Sequence, residues 1–169
     1  MTTKRISEHA TPLGTMWATW TAAGLYRLDW NQPDDVPVDA TVTPETTGNA
    51  DAADFDKRLS AYFRDGTESL QDIKLDTSGW TDFTRRVYEN CRKIAAGKTV
   101  TYRELAALAG NEKASRAVGA AMAKNRTLLA IPCHRVIAAD GSLRGFSTAG
   151  GLATKQRLLE LEQPRGLFA

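Results

Sequence analysis

The sequence predicts an α+β fold: a small N-terminal β-hairpin or sheet carrying one packed helix, followed by a mostly helical C-terminal domain containing a helix-turn-helix. Three patterns predict it. Two short runs holding Trp17, Trp20, Tyr26, Leu28 and Trp30 flank Ala22-Ala23-Gly24, the composition of paired strands. Phe55, Leu59 and Phe63 recur at steps of four, as on one side of a helix. From residue 82 onward apolar residues keep helical spacing, interrupted by glycines.

In the N-terminal half, Thr11-Pro12-Leu13-Gly14 is a turn, and residues 16–21 and 25–30 form the hairpin strands, with Tyr26, Leu28 and Trp30 on one face. Residues 31–52 are rich in Pro, Thr and Asp and predict a long mobile loop. The helix at about 53–64 packs on the hairpin and ends at Gly66. Residues 72–76 offer a further strand, and Thr77-Ser78-Gly79 breaks the chain. A domain boundary is placed there: 1–76 as scaffold, 77–169 as the functional domain.

Phe83, Val87, Cys91 and Ile94 set a helix over residues 82–95, with Cys91 on its buried stripe and Gly97 closing it. Thr101 and Glu104 match a capping box for a helix reaching Ala109, stopped by Gly110. A second helix runs over about 113–124, completing the helix-turn-helix pattern. Ala114, Ala117, Val118, Ala121 and Met122 share its core face; Ser115, Arg116, Gly119, Ala120 and Ala123 share the other. Small residues let this face approach another surface closely, and the lone Arg116 could wedge between bases in a narrow DNA groove. An Ala-rich helix selected for propensity is the alternative.

The last helix covers about 152–162, with Leu152, Leu158 and Leu159 inward, Glu162 between Leu158 and Leu159, and Glu160 pointing away. A carboxylate on an apolar stripe needs a hydrogen-bond partner. His134 is the candidate; an exposed carboxylate at a frayed helix end is the alternative.

Charge separates the halves. Residues 1–80 carry seven Lys/Arg against thirteen Asp/Glu, and residues 81–169 fifteen against seven, so a polyanion is the expected partner of the second half. No apolar run approaches the length of roughly 18 residues that spans a membrane, and the first residues lack a secretory signal. Two cysteines, Cys91 and Cys133, fit a reduced, cytoplasmic protein. His9 and His134 give no zinc spacing, so no metal is expected.

The chemistry concentrates in Ile131-Pro132-Cys133-His134-Arg135-Val136. Proline stiffens the approach to the thiol, and the adjacent imidazole is a base that could ionise it; a merely packed cysteine is the bland alternative. Cys133, His134 and Glu162 make a nucleophile, base and orienting carboxylate. A thiol hydrolase would not need the Arg116 helix, and a DNA-binding regulator would not need the thiol. Together they point to a thiol attacking something carried on DNA, reached by flipping a base out of the stack.

These residues resemble the O6-alkylguanine-DNA alkyltransferases, the methylated-DNA–protein-cysteine methyltransferases. The likeness covers about residues 80–162: Phe83-Thr84-Arg85-Arg86-Val87, Thr101-Tyr102, Ser115-Arg116-Ala117-Val118-Gly119, Asn125, the Ile131–Val136 segment, Gly141, Gly145-Phe146-Ser147, Lys155, Leu158-Leu159 and Glu162. The N-terminal part resembles the family's hairpin domain only loosely.

The resemblance implies a single-turnover reaction in which Cys133 takes the alkyl group from O6-alkylguanine, with O4-methylthymine served less well, and keeps it. His134 would draw the thiol proton through a water, Glu162 would orient the imidazole, and Asn125 would link the second helix to the thiol segment. Tyr102 would donate to guanine N3 and help rotate the phosphate. Arg116 would fill the vacated stack, with Ser115, Ala117, Gly119, Ala120 and Ala123 against the DNA. Met122, Leu128, Val136, Phe146 and Ser147 would form the base pocket. The implied partner is the minor groove of double-stranded DNA, largely independent of sequence, bound by a monomer without cofactor. Arg126 stands where the family usually has proline, Arg144 where a small residue is common, and Phe146 for a common tyrosine; these departures bear on which alkyl groups fit. Zinc, known in some members, lacks ligands. The rival readings are a lesion-binding relative without catalysis, although such relatives replace the cysteine, and a turning-over cysteine hydrolase.

Overall fold

The computed structural model describes residues 4–34, 41–42, 50–144, 146, 148 and 150–163. Strands β1 (Arg5–Thr11), β2 (Gly14–Thr21) and β3 (Gly24–Asp29) form an antiparallel meander, and β4 (Thr41–Val42) runs parallel to β1, in the order β3-β2-β1-β4. The expected hairpin is present. β1 escapes apolar patterning because its buried residues include Ser7 and His9. Their polarity is matched by hydrogen bonds: Trp20 Nε1 donates to Ser7 Oγ at 3.0 Å, Ser7 Oγ lies 2.7 Å from His9 Nε2, and His9 Nδ1 lies 2.8 Å from Asp56 Oδ1.

Of the face expected for Tyr26, Leu28 and Trp30, Leu28 and Trp30 are buried together and Tyr26 is not. The β2–β3 register shifts beside Thr19 and Trp20, so that Trp20 pairs with Leu25 and Thr19 with Arg27. One extra residue on β3 puts both Leu25 and Leu28 in the core and leaves Tyr26 only partly covered. Within the expected loop at 31–52 lie β4 and the start of helix α1 (Ala50–Asp65); residues 35–40 and 43–49 are outside the described residues. Residues 72–76 supply an isolated bridge, Leu75 to Leu25, rather than a strand.

Helix α1 packs Phe55, Leu59 and Tyr62 into the core, with Phe63 half-covered. It ends at Gly66, whose φ of +75° is left-handed and whose absent side chain lets α1 approach the carbonyl of Leu161. Helix α2 (Asp82–Cys91) is capped by the Thr81 hydroxyl, which accepts from Thr84 N. It stops short of the predicted residue 95. The chain there tightens into three-residue turns, Lys93 N to Asn90 O and Ile94 N to Cys91 O, while Ile94 still reaches the core. Apolar spacing therefore outlasts the helix, and Gly97 closes a later turn.

Strand β5 (Val100–Thr101) leads into α3 (Tyr102–Leu108), whose capping box forms as predicted between Thr101 and Glu104. Helix α4 (Ser115–Ala123) is shorter than expected and buries Val118, Ala121 and Met122. Ala117, expected on the core face, is exposed. A 3-10 turn (Cys133–Arg135) leads into β6 (Val136–Ile137), parallel to β5, and α5 (Gly151–Glu162) closes the fold. The inner face of α5 is Lys155, Leu158 and Glu162, three and four residues apart, whereas Leu152 is 48% exposed. Lysine is a surface residue by type, and here its carbonyl partners overrule that.

One hydrophobic cluster runs from Met16 and Leu28 through Tyr62 to Val87, Val118 and Leu158, across the boundary placed at residue 76. Leu28 N donates to Arg126 O (2.8 Å) and Leu128 N to Leu28 O (3.0 Å). The Arg126 side chain donates to the carbonyls of Tyr26, Asp76 and Ser78, each at 2.9 Å, with its guanidinium 4.0 Å from the centre of the Tyr26 ring. The interface between α1 and α5 gives a direct test. A Cβ at Gly66 would lie 2.6 Å from Leu161 O on left-handed backbone, so Gly66→Ala should lower unfolding stability by about 1–3 kcal/mol in urea denaturation.

Candidate active site

The thiol is delivered by a tightly wound segment. After α4, Asn125 turns its amide inward: Nδ2 donates to Ile131 O at 2.8 Å, and Oδ1 accepts from Thr127 N at 3.0 Å. Ile131 N donates to Thr127 O at 3.0 Å, and the reversal requires Leu129 at φ +67°, an uncommon state for a branched residue. Pro132 follows at φ −78°, ψ 66°, so that Cys133 N closes onto Ile131 O at 2.8 Å. Asn125 thus ties the end of α4 to the residue two before Cys133, as expected.

Cys133 and His134 are buried at 5% and 1% exposure. Burial pushes the Cys133 thiol above its ordinary pKa, with hydrogen bonding from Asn125 and the charge of Lys155 pulling the other way. Burial thus favours the protonated sulfur, and the adjacent His134 remains the candidate base for ionising it.

His134 Nε2 lies 2.6 Å from Glu162 Oε1. The same carboxylate receives Arg135 Nε at 2.9 Å on Oε2, Arg135 Nη2 at 2.8 Å on Oε1, and the Tyr62 hydroxyl at 2.7 Å on Oε1. Burial alone would raise this carboxyl, but hydrogen bonds from His134 and Arg135 outweigh it and bring it down to about 2. Burial lowers the His134 pKa against the pull of Glu162. The consistent assignment is an ionised Glu162 accepting from a neutral imidazole protonated on Nε2. Nδ1, which is buried and has no hydrogen-bond partner among the described residues, is then the basic nitrogen.

The described residues expected to line the base pocket lie in the core. Met122, Leu128, Val136 and Phe146 are buried. Lys155 Nζ donates to the carbonyls of Val136 (2.7 Å) and Arg144 (2.8 Å), and the Tyr102 hydroxyl donates to Arg144 O at 3.1 Å. Ser147 lies outside the described residues. On α4, Arg116, Ala117, Ala120 and Ala123 are exposed and Ser115 and Gly119 half-buried; a Cβ on Gly119 would meet open space. This outward face is separate from the Glu162 cluster. Sequence reasoning missed Arg135, Tyr62, Lys155 and Arg126 as supports of the site. Arg135 had a signal, its place beside His134, and Lys155 had another, its spacing from Leu158 and Glu162.

A family model described as the DNA-binding domain of 6-O-methylguanine DNA methyltransferase matches residues 82–164. A methylated-DNA–protein-cysteine methyltransferase of Mus musculus is 39% identical over 164 residues, 89% of this chain and 77% of that protein. One of Mycobacterium tuberculosis is 42% identical over 123 residues, 73% of this chain and 70% of that protein. The match to a Kluyveromyces lactis relative, 44% identical and covering 58% of this chain, spans about half (51%) of that protein. Among solved structures, a variant of the M. tuberculosis O6-methylguanine methyltransferase superposes with TM-score 0.80 at 31% identity, covering 97% of this chain and 95% of that one. The M. tuberculosis protein in complex with DNA superposes at 0.74 with 32% identity, covering 94% and 92%. The chain belongs to the methylated-DNA–protein-cysteine methyltransferase family of DNA-repair proteins.

Proposed function

We propose that this protein takes the alkyl group from guanine O6 in duplex DNA onto Cys133 Sγ, once per chain and irreversibly. The observation that carries the reading is a buried thiol followed by an imidazole whose Nε2 is occupied by an ionised carboxylate and whose Nδ1 has no partner among the described residues. The Cys133 proton passes through a water to Nδ1 as sulfur attacks the alkyl carbon; the C–O6 bond breaks and its electrons remain on the guanine. Glu162 stabilises the imidazolium so formed. The Tyr102 hydroxyl leaves the Arg144 carbonyl, or shares itself with it, to donate to guanine N3 and ease departure of the purine anion. No cofactor is required for sulfur to displace an alkyl group.

Base access is assigned to α4. Its exposed small residues and Arg116 suit close approach to a minor groove, with the guanidinium filling the stack behind an everted base. Contacts of this kind run to backbone and groove shape, so recognition is largely independent of sequence, and each chain acts as a monomer. The excess of Lys and Arg over Asp and Glu in residues 81–169 supplies the attraction to phosphate. O4-methylthymine is the second expected substrate. Residues 1–76 form the scaffold part of the protein and 77–169 the reacting part.

Incubation with duplex O6-methylguanine DNA should add a single methyl mass per chain, located on Cys133 by peptide mapping and absent in Cys133→Ala, which should still bind DNA. Methyl on Cys91 or no uptake would reject the reading, and product exceeding protein would reveal a hydrolase. Arg116→Ala should bind duplex yet transfer at least about tenfold more slowly, while single-stranded substrate, which costs no unstacking, is little affected. Equal loss on both substrates would remove the wedge role.

A further inference from the structure

Glu162 Oε1 is shared by three donors from different places in the chain: His134 Nε2 (2.6 Å), Arg135 Nη2 (2.8 Å) and the Tyr62 hydroxyl (2.7 Å). Oε2 meets Arg135 Nε at 2.9 Å. Tyr62 stands on α1, in the half of the chain read above as scaffold, a hundred residues from Glu162. We propose that Tyr62 is a positioning residue for alkyl transfer: its hydroxyl competes with His134 for Glu162 Oε1 and so sets how tightly the carboxylate holds the imidazole proton. The inference rests on the reading of His134 as the base for Cys133.

The geometry favours a tuning role over simple packing. Tyr62 is 2% exposed and its ring sits edge-on to Phe63 at 5.1 Å, so the hydroxyl has one fixed aim. Burial and the Glu162 carboxylate keep its own pKa well above the ordinary tyrosine value, so it remains a donor. Other groups face the pair. Arg135 and Lys155 disfavour an imidazolium at His134 and Glu162 favours it. Arg135 holds both carboxylate oxygens and fixes its plane. Tyr62 adds a neutral donor to the one oxygen that His134 uses, and an oxygen relieved of a donor accepts more strongly from those that remain.

The sign of the effect follows. His134 accepts the thiol proton only when neutral. Burial already lowers its pKa, which keeps it neutral to lower pH. Tyr62→Phe keeps the ring and removes the donor, so Glu162 should hold an imidazolium more firmly and raise that pKa. The acid limb of the single-turnover rate should therefore move to higher pH, by about 0.5–1 unit. Site-specific 3-fluorotyrosine at position 62, a stronger donor of nearly the same shape, should move the limb to lower pH.

Methyl transfer from duplex O6-methylguanine DNA to the full chain would be followed across pH for the unaltered protein and both variants, with melting curves to verify folding. Opposite displacements of the limb establish the role. Limbs superimposable on that of the unaltered protein, even at reduced plateau rates, overturn it and leave Tyr62 as packing. Should Tyr62→Phe fail to fold, the fluorotyrosine protein decides alone, by a lowered limb or an unmoved one. An unaltered protein that takes up no methyl would overturn the alkyl-transfer reading itself, a result separable from any behaviour of the variants.

Discussion

A single buried anion organises this molecule. Removing a carboxylate from water costs several kcal/mol even after relaxation, and it persists only where donors replace the lost hydration. Glu162 is 5% exposed and is supplied from α1 by Tyr62 and from the 3-10 turn by His134 and Arg135. Three segments far apart in sequence must converge for α5 to bury its last turn. With its pKa held near 2, below the ordinary carboxyl value, the folded carboxylate contributes stability above that ordinary value and loses it as pH falls toward 2. One cluster therefore closes the fold and fixes the tautomer of the imidazole beside the thiol.

Much of this was legible in the sequence because it depends on local rules. The Thr101–Glu104 capping box and the steps of four in α1 act over a few residues, and the structure reproduces them, whereas the extended approach expected at Pro132 is a tight turn that closes Cys133 N onto Ile131 O. The pairing of Glu162 with His134 was also readable, since a carboxylate on an apolar stripe demands a partner. What stayed hidden is non-local. β1 buries Ser7 and His9 because Trp20 and Asp56 answer them from elsewhere, which no alternation rule detects. Lys155 is 1% exposed because two carbonyls of the 136–144 segment turn toward it. The end of α2 was misplaced because Ile94 packs from a tightened turn as well as it would from a helix.

Arg126 stiffens the thiol-bearing segment at the position where the resemblance leads to the expectation of a proline. Proline would stiffen the segment after Asn125 from within by fixing φ. Here rigidity comes from outside, through donation to the carbonyls of Tyr26 and Asp76 in the N-terminal half and of Ser78 just beyond it, and contact with the Tyr26 ring. The backbone of the same residue accepts from Leu28 N. The turn that carries the thiol is consequently braced against the β-sheet, and the N-terminal half contributes to site geometry through Arg126 as well as through Tyr62.

Keeping Cys133 sheltered and protonated between encounters has a bearing on its shelf life. Peroxide and stray electrophiles consume thiolates far faster than thiols. A sulfur whose burial favours the protonated form is therefore less open to such attack than an exposed thiolate would be.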